Sequence, residues 1–142
     1  MPITKLKSTK AIVPSEDNEC MVLVNYLKLK GLRFSHLAQS TAAVSYVGGV
    51  RKPNWKTIKR NQALGVTKGV PDYLILIERQ PTEKSGARNS TLLFVEMKKE
   101  IGGTVSPEQS EWINGLNKVF GVVAVVARGF DQAKEIIDAY VS

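Results

Sequence analysis

Only one cysteine, Cys20, and one histidine, His36, occur in the 142 residues. A lone thiol closes no internal disulfide, and no Cys/His pairs stand at zinc spacing, so a disulfide scaffold and a structural zinc site are excluded. The same scarcity argues against Ser/His/Asp or Cys/His catalysis: Cys20 falls on an apolar helix face, and His36 has no sequence neighbour of the right type. Long hydrophobic runs are missing as well. No stretch approaches membrane-spanning length, and the apolar run in the basic segment Met1 to Val13 is too short for a secretory signal. These absences lead to the expectation of a soluble, cytoplasmic protein that binds no small-molecule cofactor and no membrane.

Acidic residues are absent from a long stretch. Between Cys20 and Pro71 there is no Asp or Glu, while Lys28, Lys30, Arg33, Arg51, Lys52, Lys56, Lys59, Arg60 and Lys68 fall there, and the net charge is +7. An acid-free basic half suits a polyanion, whose phosphates draw Lys and Arg through counterion release. A basic, merely solvated surface is the plainer alternative. Arg51, Lys52, Lys56, Lys59, Arg60 and Lys68 are the candidate nucleic-acid contacts.

What is present reads as one α/β domain. Met1 to Pro14 lacks an apolar period and is expected to be a basic N-terminal arm, with the domain occupying residues 15–142. Ser15 followed by Glu16, Asp17 and Glu19 starts a helix running to about Lys30, with Cys20, Leu23, Val24, Leu27 and Met21 inward and Gly31 at its end. Leu32 to Ala38 alternates as a strand. Gln39 to Pro53 reads as a long flexible connection, and Asn54 caps a short basic helix to Leu64 with Trp55 and Ile58 inward. Tyr73 to Glu78 and Leu92 to Lys98 are strands joined by a polar loop from Arg79 to Thr91. Ser106-Pro107-Glu108-Gln109 has capping-box spacing and opens a helix whose apolar side is Trp112, Ile113, Leu116 and Phe120. Val122 to Ala127 is expected to be a strand covered on both faces, and Asp131 to Tyr140 a closing helix built on Ala133, Ile136, Ile137 and Tyr140. The first three strands would make an antiparallel meander, and the fourth would join through a helical crossover, giving a mixed sheet.

Antiparallel pairing of the second and third strands brings the start of one, at Asp72, beside the end of the other, at Glu96-Met97-Lys98. Alternation puts Glu96 and Lys98 on one face and Val95 and Met97 on the opposite one. Asp72 and Glu96 offer hard oxygen ligands suited to magnesium or manganese, the Met97 backbone carbonyl can add a third, and Lys98 can orient water or hold a phosphate. The plain alternative is an exposed Glu-x-Lys salt bridge of little energetic weight. Against it stands the apolar run Leu92-Leu93-Phe94-Val95, which half-buries Glu96 and makes an idle carboxylate costly. Gln109 can cap its own helix, face the site, or do both.

Gly69-Val70-Pro71-Asp72, Glu96-Met97-Lys98, Gly103 and Ser106 to Trp112 together resemble the virus-type replication and repair nuclease (VRR-NUC) domain of the PD-(D/E)xK phosphodiesterases. The likeness extends from Ser15-Glu16 through Leu64 to Gly69 and on to Ala127-Arg128-Gly129-Phe130. It implies a three-layer restriction-endonuclease-like fold, with a mixed central sheet flanked by helices, and a Mg2+-dependent nuclease in which Mn2+ substitutes. It also implies Asp72 and Glu96 as metal ligands, Lys98 at the attacking water, Gln109 contributing from its helix, and a first-helix glutamate near the metal, acting through water. Glu16 fits that last position best and Glu19 second. Standalone members resemble Holliday-junction resolvases, so the expectation is a homodimeric endonuclease on branched DNA. The alternatives are a non-catalytic nucleic-acid-binding module and a nuclease acting on RNA.

Overall fold

A computed structural model describes residues 12–37, 44–79 and 90–141. The body of the N-terminal arm, residue 38 at the end of the expected first strand, residues 39–43 of the expected connection and most of the Arg79–Thr91 loop lie outside these. The elements are α1 (Glu16–Leu29), β1 (Arg33–His36), β2 (Val44–Val47), β3 (Val50–Pro53), α2 (Trp55–Ala63), β4 (Tyr73–Ile77), β5 (Thr91–Lys98), α3 (Pro107–Leu116), β6 (Val122–Arg128) and α4 (Gly129–Val141). Four strands form one sheet in the order β1-β4-β5-β6, and β2 and β3 form a separate two-stranded sheet. β1 with β4 and β4 with β5 are antiparallel, while β5 with β6 is parallel, with α3 as the crossover. The expected mixed sheet flanked by helices is the observed architecture.

The pleat divides the main sheet cleanly. Tyr73, Ile75 and Ile77 of β4 pair with Val95, Leu93 and Thr91 of β5, so they share a face with Leu93, Val95 and Met97. That face packs against Leu23, Tyr26 and Leu27 of α1 and Ala133 and Ile137 of α4, and makes the hydrophobic core. Burying each such aliphatic side chain contributes roughly 1.5–3 kcal/mol. α1 and α4 are tied by polar contacts too: the Tyr26 hydroxyl donates to Asp138, and Nζ of Lys30, the α1 C-cap, lies 3.9 Å from Asp138 Oδ1.

The opposite face carries Glu96 and Lys98 and is covered by α3, which is held unusually. No α3 residue is buried. Instead the helix has its capping box, and the Asn117 amide at its C-cap both donates to Ala124 O (2.9 Å) and accepts from Ala124 N (2.8 Å), pinning it to β6. At the other end Gly69 lies against the first turn. A Cβ there would stand 2.5 Å from the Glu108 carbonyl carbon, and its φ of 90° is left-handed, so glycine is required twice over.

Several expectations are corrected. The connection after β1 contains the β2–β3 hairpin, because Gly48 (φ 60°) and Gly49 (φ 77°) make the two-residue turn whose twist suits a hairpin. Trp55 is not inward: it is 65% exposed, and Ile58 alone of its helix is buried. Met21, Trp112 and Phe120 are also on the surface. β6 is an edge strand whose valines are half-buried, so its unbroken apolar run reflects cover on two faces that is only partial. Finally, α4 begins at Gly129, two residues before Asp131, since Glu19 supplies its N-terminal partner.

Candidate active site

The site lies where β4 begins and β5 ends. Tyr73 pairs with Val95, so the residue before β4 falls opposite Glu96. Pro71, buried at the turn, holds Asp72 there. Asp72 Oδ2 accepts a 2.8 Å hydrogen bond from Met97 N. A strand residue sends its N–H and C=O toward the same neighbour, so the Met97 carbonyl also faces the Asp72 side, while the Met97 side chain is sealed in the core.

Glu96 is the most enclosed charge of the site, 1% exposed, with Lys98 at 9%. Its Oε1 receives Lys98 Nζ at 2.8 Å and the Gln109 side-chain amide from α3. Gln109 serves two ends at once, because its Oε1 also accepts from Ser106 N at 2.9 Å and completes the capping box. The other oxygen, Glu96 Oε2, is buried and has no hydrogen-bond partner, alone in this among the described side chains. An orphaned carboxylate oxygen costs about 1–3 kcal/mol or more, so its retention calls for a ligand.

Electrostatics agree with that geometry. Burial raises the Glu96 carboxyl above its ordinary value, the Lys98 ammonium opposes the shift, and the Asp72 and Glu16 charges add to it. Burial likewise raises Asp72, against the Met97 N–H and Lys98. Two buried carboxyls, both raised and one of them further by the other's charge, beside one ammonium make a site where a further cation is welcome. Among the described residues no three His, Cys, Asp or Glu side chains gather into a cage. The donor set is thus two carboxylates and a carbonyl, which fits a hard cation that keeps most of its waters.

The first-helix glutamates separate by role. Glu19 is buried, and its Oε2 accepts from Phe130 N at 2.6 Å, capping α4. Glu16, half-exposed, is the one whose charge reaches Glu96. Cys20 lies apart in a cavity of about 650 Å³ with His36 and Tyr73. Burial pushes its thiol up to about 11, so it stays protonated and inert. Arg51, Lys52, Lys56, Lys59, Arg60 and Lys68 are all exposed, on or just beyond the hairpin and α2. The sequence reading missed what Gly69 does for α3 and what Glu19 does for α4. A glycine two residues before Pro71 was the available sign of the first; the second, spanning 111 residues, has no local signal.

The VRR-NUC domain model matches residues 15–131. This chain belongs to the VRR-NUC family. A solved structure titled "VRR_NUC domain protein" is 27% identical, covers 92% of this chain and 90% of its own, and superposes with a TM-score of 0.58. No curated protein matches the chain. Family membership makes this a nuclease-type hydrolase domain, with nucleic acid as its substrate. No helix among the described residues is long and apolar enough to cross a membrane.

Proposed function

We propose that this VRR-NUC domain is a magnesium-dependent DNA endonuclease that acts on branched or otherwise structured DNA as a homodimer in a reducing, cytoplasmic setting. The observation that carries the reading is the buried, partnerless Glu96 Oε2, on a carboxylate whose other oxygen is held by Lys98 and Gln109. Asp72, Glu96 and the Met97 carbonyl would hold the cation, with Glu16 reaching it through water. When bound, Mg2+ or Mn2+ supplies Lewis acidity that neutralises charge building on the phosphoryl oxygens. The chain's own residues do the rest. Lys98 Nζ orients the attacking water and donates to the scissile phosphate, while the Gln109 amide and Lys98 fix the Glu96 carboxylate in one rotamer. No side-chain nucleophile is required.

The exposed cations of the hairpin and α2 would hold the phosphate backbone, giving affinity without sequence information. Residues 1–14, an arm ahead of the domain at 15–142, would add basic charge. The dimer is supported by the uncovered apolar surface of α3 and the turn after it: Trp112 is 40% exposed, Val119 53% and Phe120 wholly so, beside an open groove of about 600 Å³.

The test is incubation with supercoiled plasmid, four-way junction and linear duplex, each with magnesium and with chelator. Magnesium-dependent cutting, strongest on the junction, is expected, with Glu96→Ala and Lys98→Ala abolishing cleavage and leaving DNA binding in place. Parental cutting rates in either purified variant would refute the assignment.

A further inference from the structure

The hairpin and the start of α2 carry a second feature that phosphate binding does not use. In the β2–β3 pairing Tyr46 stands opposite Arg51, and Val47 opposite Val50. Tyr46 is 73% exposed, Trp55 65%, and Val47 and Val50 58% each. These are large apolar surfaces left in water on a segment that also carries Arg51, Lys52, Lys56, Lys59 and Arg60. Among the described residues none of those five cations is paired with a carboxylate. Trp55 in particular is turned outward although it opens an amphipathic helix whose Ile58 is buried.

A duplex offers a protein its phosphates and the edges of its bases, and neither rewards an exposed aromatic ring. An unpaired base offers its π-face, and rings interleaved with unpaired cations are the arrangement that holds one: the ring stacks while Arg and Lys follow the backbone. A partner protein chosen by these charges would have to be acidic. It would gain less from two rings set among five positive groups than a strand whose every residue brings a phosphate and a flat base. We propose that the β2–β3 hairpin and the first turn of α2 bind unpaired nucleotides of DNA, stacked on Tyr46 and Trp55, with phosphates on Arg51, which shares the Tyr46 face, and Lys56. The inference rests on nucleic acid being the substrate and narrows it to DNA that exposes single-stranded residues.

The full chain carrying Trp112→Phe retains Trp55 as its one tryptophan. This variant would be titrated, with chelator and at fixed salt, with oligothymidylate and with a blunt duplex of equal length. Quenching of Trp55 fluorescence by the single strand and little by the duplex is expected. Tyr46→Ala and Trp55→Ala should each weaken single-strand binding roughly five- to hundred-fold, as loss of one base stack does, with Tyr46→Phe retaining it. Duplex binding should change less than about threefold, because the phosphate contacts remain. Equal quenching by both ligands, or unchanged single-strand affinity in both alanine variants, would overturn the proposal. So would a shift in sedimentation of the alanine variants without loss of binding, since the surface would then join two copies of the chain. Selective quenching in a protein that cuts nothing with magnesium would uphold this inference and refute the catalytic one.

Discussion

Where β4, β5 and α3 meet, Glu96 keeps 1% of its surface and Lys98 9%; on the hairpin and α2, Tyr46 keeps 73% and Trp55 65%. One region buries charge beneath α3, on the sheet face away from the apolar core, and the other leaves aromatic rings in water. Both depart from the burial each residue type ordinarily adopts, in opposite directions. The first departure is costly and is held in place by elements on three sides: Asp72 on Met97 N, Gln109 from α3, and Gly69 against the α3 turn. The second costs the fold little, since the hairpin forms its own two-stranded sheet and little of the core depends on it. On the proposed function, the buried charges serve chemistry and the exposed rings of the hairpin and α2 serve capture.

If that contrast is right, substitutions should separate the regions by stability. Gly69→Ala should do most harm, about 2–4 kcal/mol in urea unfolding, because a methyl group meets Glu108 and the φ is left-handed. Cleavage should fall with it as Gln109 is pushed off Glu96. Next comes Glu19→Ala, expected to cost about 1–3 kcal/mol by stranding the Phe130 N–H at the start of α4. Glu16→Ala should change stability by less than about 0.5 kcal/mol while slowing cleavage. Equal loss of stability in the two would erase the distinction drawn between them.

Glu96→Gln should move stability the other way. The folded-state carboxyl is raised, so between the unfolded and folded values the native state holds more protons, and stability falls as pH rises through that window. In metal-free buffer the variant should therefore melt above the parent at pH 7, and the gain should vanish as pH drops below the unfolded carboxylate value. A lower melting temperature at pH 7 would mean that the Lys98 pair outweighs desolvation. Smallest of all, Tyr46→Ala and Trp55→Ala should leave unfolding within about 0.5 kcal/mol of the parent. Larger losses would show that the hairpin and α2 are part of the core after all.

Much of the fold was readable from local chemistry. Ser15, Asn54 and Ser106 each accept from the backbone three residues on, as cap residues do, and the apolar runs mark β4, β5 and β6 within a residue or two. The hairpin was also written plainly, two glycines between Val-rich runs, but small polar neighbours disguised it as a loop. Trp55, Trp112 and Phe120 were misjudged for a different reason. Their spacing is right for an inward stripe, yet whether a stripe is covered depends on what stands opposite, and among the described residues these side chains stay exposed.

By itself, then, the order of residues determined the succession of helices and strands, the antiparallel approach of Asp72 to Glu96, and the shared face of Glu96 and Lys98. All three follow from short-range rules of capping, pleat and pairing. Only the folded chain decided that Glu96 would keep an oxygen without a partner, that Glu19 would cap α4 and Glu16 remain near the carboxylates, and that Gly69 would let α3 close over them. Those outcomes depend on contacts between distant segments, and packing sets them one approach at a time.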